Sequence, residues 1–278
     1  MACLLEHSKA RVFALGSVEN NLNGSMEAAF LMENALLIGL SRQVALTREL
    51  DVVANNVANI ETNGFKRRSS NFAEYIMPVA RAENFKNGDK KLSYVVDRGT
   101  ALHFTQGALN RTDNPLDVTI KGDALFAVRT PGGERYTRDG AFKLNSKGEL
   151  VNASGNTVIT DQGVLRLSQG ETNLRFAPDG QITTSAGTRG KLKLVTFANT
   201  QGLVNVGSNL FSSTETPKPA GKNISIESGA VEKSNISPVL EMSRLIEINR
   251  AYQSVASMMT QTNSLRTSAI AKLADIGN

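Results

Sequence analysis

The sequence predicts an α+β fold: long N- and C-terminal helices forming a coiled-coil layer, with a central antiparallel all-β domain between them. Apolar residues recur at helical spacing near both ends, and the stretch between them breaks into short alternating runs separated by glycine-containing turns. The 278 residues suffice for one large or two ordinary domains, at roughly 100–200 residues each.

Six segments follow from these shifts of period. Residues 1–31 read as a leader or disordered extension, since they contain basic residues but lack the apolar core of about 7–15 residues that a cleavable secretory signal needs. Residues 32–65 form the N-terminal helical part. Here Leu37, Leu40 and Val44 are followed by Leu46, Leu50, Val53, Val57 and Ile60, and the second set steps by four, three, four and three, as in a helix packed along a partner helix. Residues 66–91 read as a linker, polar and charged from Arg81 to Lys91.

The central β domain spans 92–213. Leu116–Ile120, Leu125–Val128, Glu149–Val151, Thr157–Ile159 and Lys191–Phe197 read as strands. Pro131-Gly132-Gly133, Asp139-Gly140, Lys147-Gly148, Ser154-Gly155, Gln162-Gly163 and Pro178-Asp179-Gly180 supply the turns between them. Residues 214–236 begin with the proline-rich TETPKPAGK, follow neither period, and read as a return linker.

Residues 237–278 form the C-terminal helical part. Ser237 is an N-cap before Pro238 at the first helical position, and Gly277 stands past the end. Leu245, Ile248, Tyr252, Val255, Met259, Thr262, Arg266, Ala269, Leu273 and Ile276 keep an alternating three–four step, which predicts a helix over Pro238–Ile276, roughly 58 Å long at about 1.5 Å per residue. A stripe of that length needs a cover larger than a small local core. The amide- and hydroxyl-rich composition of both helices favours a multi-chain bundle, with a two-helix hairpin packed on the β domain as the alternative.

Composition removes several functions. One Cys excludes an intramolecular disulfide framework and a multi-cysteine zinc site, and two His leave no basis for a His-rich metal centre, so no cofactor or metal is expected. The 31 Lys+Arg against 26 Asp+Glu give a scattered +5. Lys66-Arg67-Arg68, the compact basic run, lacks interleaved aromatics and reads as a solvated turn or a salt-bridging position in an assembly, so nucleic acid is not an expected partner. The apolar stretch from Ala28 to Leu40 is broken by Glu33 and Asn34, too short for a membrane span of about 20 residues. Asp113, Asp117, Asp123, Asp139, Asp161 and Asp179 lie in or near turns, where the carboxylate bonds its own backbone, so they read as turn formers before they read as acid–base catalysts.

Ala54-Asn55-Asn56-Val57-Ala58-Asn59, followed by Thr62, Gly64, Phe65 and Lys66, resembles the A-N-N-x-A-N-x-x-T-x-G-F-K signature of flagellar rod and hook proteins at every defined position. Gly107-Ala108-Leu109 through Thr112, Asn114–Val118, Tyr136–Phe142, Gly229–Asn235 and Glu241-Met242 through Gln253 are similar to later parts of the same family, so the likeness covers the chain after Met32. Asp123-Ala124-Leu125-Phe126 departs from the commoner G-x-G-F-F run.

The resemblance implies a non-enzymatic structural subunit of the flagellar basal body, in the rod that crosses the periplasm. A proximal-rod member is the nearest likeness; a distal-rod or hook-family subunit is the alternative, and a cell-wall glycan-binding β module the alternative of another class. The implied partners are other proximal and distal rod subunits, the flagellar type III export apparatus and peptidoglycan, with neither nucleic acid nor membrane insertion. The expected assembly interface joins the helical stripes (Leu50, Val53, Val57, Ile60, Leu245, Ile248, Tyr252, Val255, Met259) to the signature residues Asn55, Asn56, Asn59, Gly64 and Phe65.

Overall fold

The computed structural model describes residues 34, 36–76, 93–168, 170–221 and 223–275. The expected leader, most of the expected first linker and Ile276 lie outside the described residues. Helix α1 covers 36–58, and helix α2, Pro238–Asp275, runs for 38 residues. Among the described residues no helix is long and apolar enough to cross a membrane.

Between the helices the backbone is β. Strand β1 (Arg68–Ile76) pairs with β2 (Ser93–Leu102), so the segment expected as linker opens with a nine-residue strand. Its polar composition hides this, because a two-stranded ribbon needs only one covered face. Short strands β3 (Leu109–Arg111) and β4 (Val118–Lys121) precede β5 (Leu125–Thr130) and β6 (Gly133–Thr137), which form a hairpin across Pro131-Gly132. Then follow β7 (Lys143–Leu144), β8 (Leu150–Val151), β9 (Thr157–Thr160) and β10 (Gly163–Val164). An antiparallel three-stranded sheet is built from β11 (Arg175–Phe176), β12 (Gln181–Thr184) and β13 (Gly187–Lys191).

The largest sheet is completed by β14 (Leu194–Thr196), β15 (Val204–Asn205), β16 (Phe211–Ser212) and β17 (Lys218–Pro219), in the order β15-β16-β6-β5-β9-β8-β7, with β10 on β9 and β14 joining β5 to β17. Finally β18 (Ser225–Ser228) pairs with β4, and β19 (Ala230–Glu232) with β3. The expected return linker thus carries three strands. They are two to four residues long, too short to show a period, and Pro219 argues locally against a strand.

The chain forms two compact units. One gathers the described residues of Met1–Leu50, Asn71–Gly99 and Ile246–Asn278; the other gathers Asp51–Ser70 and Thr100–Leu245. The second holds two apolar clusters. In one, Phe126 and Phe142 meet edge to face at 5.0 Å beside Val118, Ile120 and Leu150. In the other, Tyr136, Val195 and Phe211 pack with Phe104 and Phe197 at the edges. Strand alternation puts these side chains on covered faces and leaves the turns in water. The turn aspartates behave as expected at two places: Asp139 Oδ1 accepts from the Ala141 amide at 3.0 Å, and Asp179 Oδ1 from the Gln181 amide at 3.1 Å.

In the first unit, Gln43 Nε2 donates to the Tyr252 hydroxyl oxygen at 3.0 Å. Gly39 faces Met259 so closely that an added Cβ would lie 3.1 Å from its Cγ. Small residues therefore set the approach of α1 to α2 here. Ser41 Oγ donates to the Val95 carbonyl and accepts from its amide, tying α1 to β2.

Candidate functional site

The A-N-N signature occupies the last turn of α1 and the loop that follows it. Helical hydrogen bonding gives way to tight turns after residue 58: the Asn59 amide donates to Asn56 O at 3.0 Å and the Thr62 amide to Asn59 O at 3.2 Å. Side chains repeat this closure locally, with Asn59 Nδ2 on Asn55 O and Thr62 Oγ1 on Asn59 Oδ1. Asn56 is fully buried and pairs with Arg68 like a strand partner, donating to its carbonyl at 2.8 Å and accepting from its amide at 3.0 Å. The second signature asparagine therefore clamps the start of β1 to the end of α1.

Gly64 has φ +64°, a conformation that glycine adopts without a Cβ penalty. An added Cβ would lie 2.5 Å from the Arg138 and Asp139 backbone, so absence of a side chain is also a packing requirement. Gly64 lies six residues past the end of α1 and sets the close approach of this loop to the β layer.

Lys66 is among the largest fully buried side chains of the described residues, with 1 % of its surface exposed. Its Nζ lies 2.5 Å from Glu232 Oε1 and donates to Thr105 O at 2.9 Å. The other Glu232 oxygen accepts from Arg138 Nε at 2.7 Å, and Oε1 also accepts from the Gly107 amide at 2.9 Å. Arg138 spends its remaining donors on the Ile120 and Ala124 carbonyls. Burial acts to raise the Glu232 pKa, but the Arg138 and Lys66 cations together more than offset it and hold the carboxyl below the ordinary glutamate range. For Lys66 burial dominates and lowers the pKa, with Glu232 opposing.

A second carboxylate works beside the first. Glu241, 1 % exposed in the first turn of α2, accepts from Arg67 Nε at 2.5 Å and from Asn56 Nδ2 at 3.2 Å. Asn235 Oδ1 accepts from the Arg67 amide at 2.7 Å, while its Nδ2 reaches the His103 and Thr105 carbonyls. The basic run is thus no solvated turn: Lys66 and Arg67 are neutralised inside their own molecule. Arg68 lies 5.9 Å from the Phe65 ring, near a cation–π contact.

Of the expected interface residues, the chain itself buries Val53, Asn56, Gly64, Phe65 and Ile248. Leu50, Val57, Asn59, Ile60, Leu245, Tyr252, Val255 and Met259 are half-buried, and Asn55 is exposed. On α2 Leu245, Ile248, Tyr252, Val255, Met259 and Thr262 of the expected seam are covered, with Glu241 before them and Ala251 and Ala256 beside them; from 263 to 272 every residue is exposed, including Arg266 and Ala269 of that seam. On α1 the first part of the expected stripe is turned the other way. Leu37, Leu40 and Val44 are exposed, while Gly39, Ala45 and Leu46 are covered.

Glu232, Glu241, Arg138 and Asn235 are the site residues that sequence reasoning passed over. Their signal lay in the family-like segments Tyr136–Phe142, Gly229–Asn235 and Glu241-Met242, but nothing in one sequence pairs Glu232 with a lysine 166 positions earlier.

Three family models match the chain: "Flagella basal body rod protein" over residues 36–66, "Flagellar hook protein FlgE/F/G D1 domain" over 119–189, and "Flagellar basal body rod FlgEFG protein C-terminal" over 227–272. The first and last fall on the two sides of the buried ionic joint. Among curated relatives, the flagellar basal-body rod protein FlgF of Caulobacter vibrioides is 39% identical over 88% of this chain and 100% of its own length. That of Mesorhizobium japonicum is 35% identical over 87% of this chain and 98% of its own. FlgG of Buchnera aphidicola is 32% identical over 73% of this chain and 86% of its own. The chain therefore belongs to the flagellar basal-body rod protein family, as a FlgF-like, non-enzymatic structural subunit of the rod.

Proposed function

We propose that the protein occupies the proximal part of the rod and joins neighbouring proximal and distal rod subunits through the apolar helical surface its own fold leaves uncovered. The observation that carries this reading is the exposure of Leu37, Leu40 and Val44 on α1 and of Met242, Ile246, Leu265 and Ile270 on α2. Exposed apolar patches on a soluble protein mark surfaces on which something docks. The half-buried Leu50, Val57, Asn59, Ile60, Leu245, Tyr252, Val255 and Met259 lend their remaining surface to the same contacts, and exposed Asn55 supplies a polar group at the rim. Val53, Asn56, Gly64, Phe65 and Ile248 act from inside, by fixing the shape presented. A repeated, non-closing contact of this kind builds a filament, and stiff packed helices pass torque along it.

Passage through the flagellar export apparatus fits a protein whose single Cys cannot form an intramolecular disulfide. Higher identity to FlgF than to FlgG relatives supports the proximal position. The test is Leu40→Asp in cells. The exposed position makes the change nearly neutral for folding, so the variant keeps the parent's thermal midpoint yet is lost from isolated basal bodies; wild-type incorporation would contradict the reading.

A further inference from the structure

The buried joint has a property that rod assembly does not require: its carboxylates, Glu232 and Glu241, come from a segment 94 to 185 positions later in the sequence than the Arg138, Lys66, Arg67 and Asn56 side chains they hold. We infer that the fold is closed last, by the segment 229–241, with Glu232 and Glu241 as the two keys that fix residues 56–67. The inference concerns the single molecule and holds for any position in the rod.

Backbone pairing supplies the first argument. Among the described residues β3 pairs only with β19 and β4 only with β18, so the first strands after β2 wait for strands about a hundred residues later. The Gly64 amide donates to Glu232 O at 2.6 Å and the Lys233 amide to Ala108 O at 2.8 Å. Gly107 leaves so little room that an added Cβ would fall 2.0 Å from Lys233 O. The β5–β6 hairpin, by contrast, closes over a two-residue turn. Loop-closure entropy makes such local pairs form first and distant ones last.

Charge supplies the second. Until Glu232 arrives, Lys66 and Arg138 cannot be dehydrated, because each would be a buried cation without its carboxylate. Glu241 does the same for Arg67 and for the inward amide of Asn56. The loop that carries the signature thus has no dry resting place while the segment from residue 229 onward is undocked.

Pulse-labelled hydrogen exchange during refolding of the full-length protein tests this. The β5–β6 amides gain protection in an early phase, and the Gly64, Arg67 and Lys233 amides gain it together in a later one. In the folded state Glu232→Gln and the milder Glu241→Gln speed exchange at Gly64 and Arg67 at least tenfold and leave the hairpin unchanged. Protection of Gly64 and Arg67 together with or before the hairpin overturns the inference, and so does unaltered exchange in both variants. If Glu232→Gln does not fold, the wild-type phases and Glu241→Gln still decide.

Discussion

Around Glu232 the protein covers its own charges: Lys66, Arg138 and Glu232 are nearly inaccessible and the one carboxylate is shared by both cations, while Glu241 pairs with Arg67. Along α2 beyond Thr262 the opposite holds, with residues 263–272 exposed on every side although Leu265 and Ile270 are apolar. The two regions belong to one molecule and face the same solvent, so composition alone does not separate them. The difference is in what each still lacks. The ionic joint is satisfied within one molecule; the far part of α2 has helical structure but, among the described residues, is left exposed, as the proposed contact with a neighbouring subunit requires.

That contrast ranks the effects of substitution. Truncating Glu232 to Ala leaves two buried cations unpaired and should cost about 3–5 kcal/mol in chemical denaturation, enough to threaten folding of the β unit. Phe126→Ala opens a cavity in the larger apolar cluster and should cost about 3–5 kcal/mol without touching the joint. Gly64→Ala must place a Cβ against the Arg138–Asp139 backbone at positive φ, and we expect a loss of roughly 2 kcal/mol or more. If Gly64→Ala were as stable as wild type, the loop would not be held where the joint requires.

A smaller effect tests the edge of the joint by pH. Burial, reinforced by Asp117, raises the Asp139 pKa from 3.8 to about 6 against the opposing Ala141 hydrogen bond. The folded protein thus holds this proton more tightly than the unfolded one. The stabilisation is full below about pH 3.8 and is lost as pH rises through about 6. Asp139→Asn, which keeps the acceptor for Ala141, should raise stability at pH 7.5 by on the order of 2 kcal/mol and gain nothing at pH 4. Equal gains at both pH values would remove the buried-acid explanation. The smallest expected change is Leu265→Asp, within about 0.5 kcal/mol for an exposed position, and it should nonetheless prevent rod incorporation.

Much of the fold was legible because burial and period coincide where a helix has one covered face. On α2 the covered residues from Leu245 to Thr262 include every one the three–four step picks out, together with Ala251 and Ala256 beside them. On α1 the same reasoning chose Leu37, Leu40 and Val44, because it assumes that the largest apolar residues face the partner within the molecule. Gly39 instead permits close approach to Met259, Ala45 and Leu46 are covered, and Leu37, Leu40 and Val44 are exposed. Short strands such as β17 and β19 escaped because pairing partners, not local pattern, define them. Lys66 was read as part of a solvated turn or as a salt-bridging position in an assembly because charge usually stays at a surface; its burial depends on Glu232, which only folding brings near.

A photo-cross-linking amino acid placed at Leu265 and, separately, at Ile248 in intact basal bodies probes the uncovered and covered faces of α2 side by side. Adducts to neighbouring rod subunits from position 265, with only intramolecular adducts from 248, are expected. Intersubunit adducts from 248, or none from 265, would mean that the exposed end of α2 is not where subunits meet.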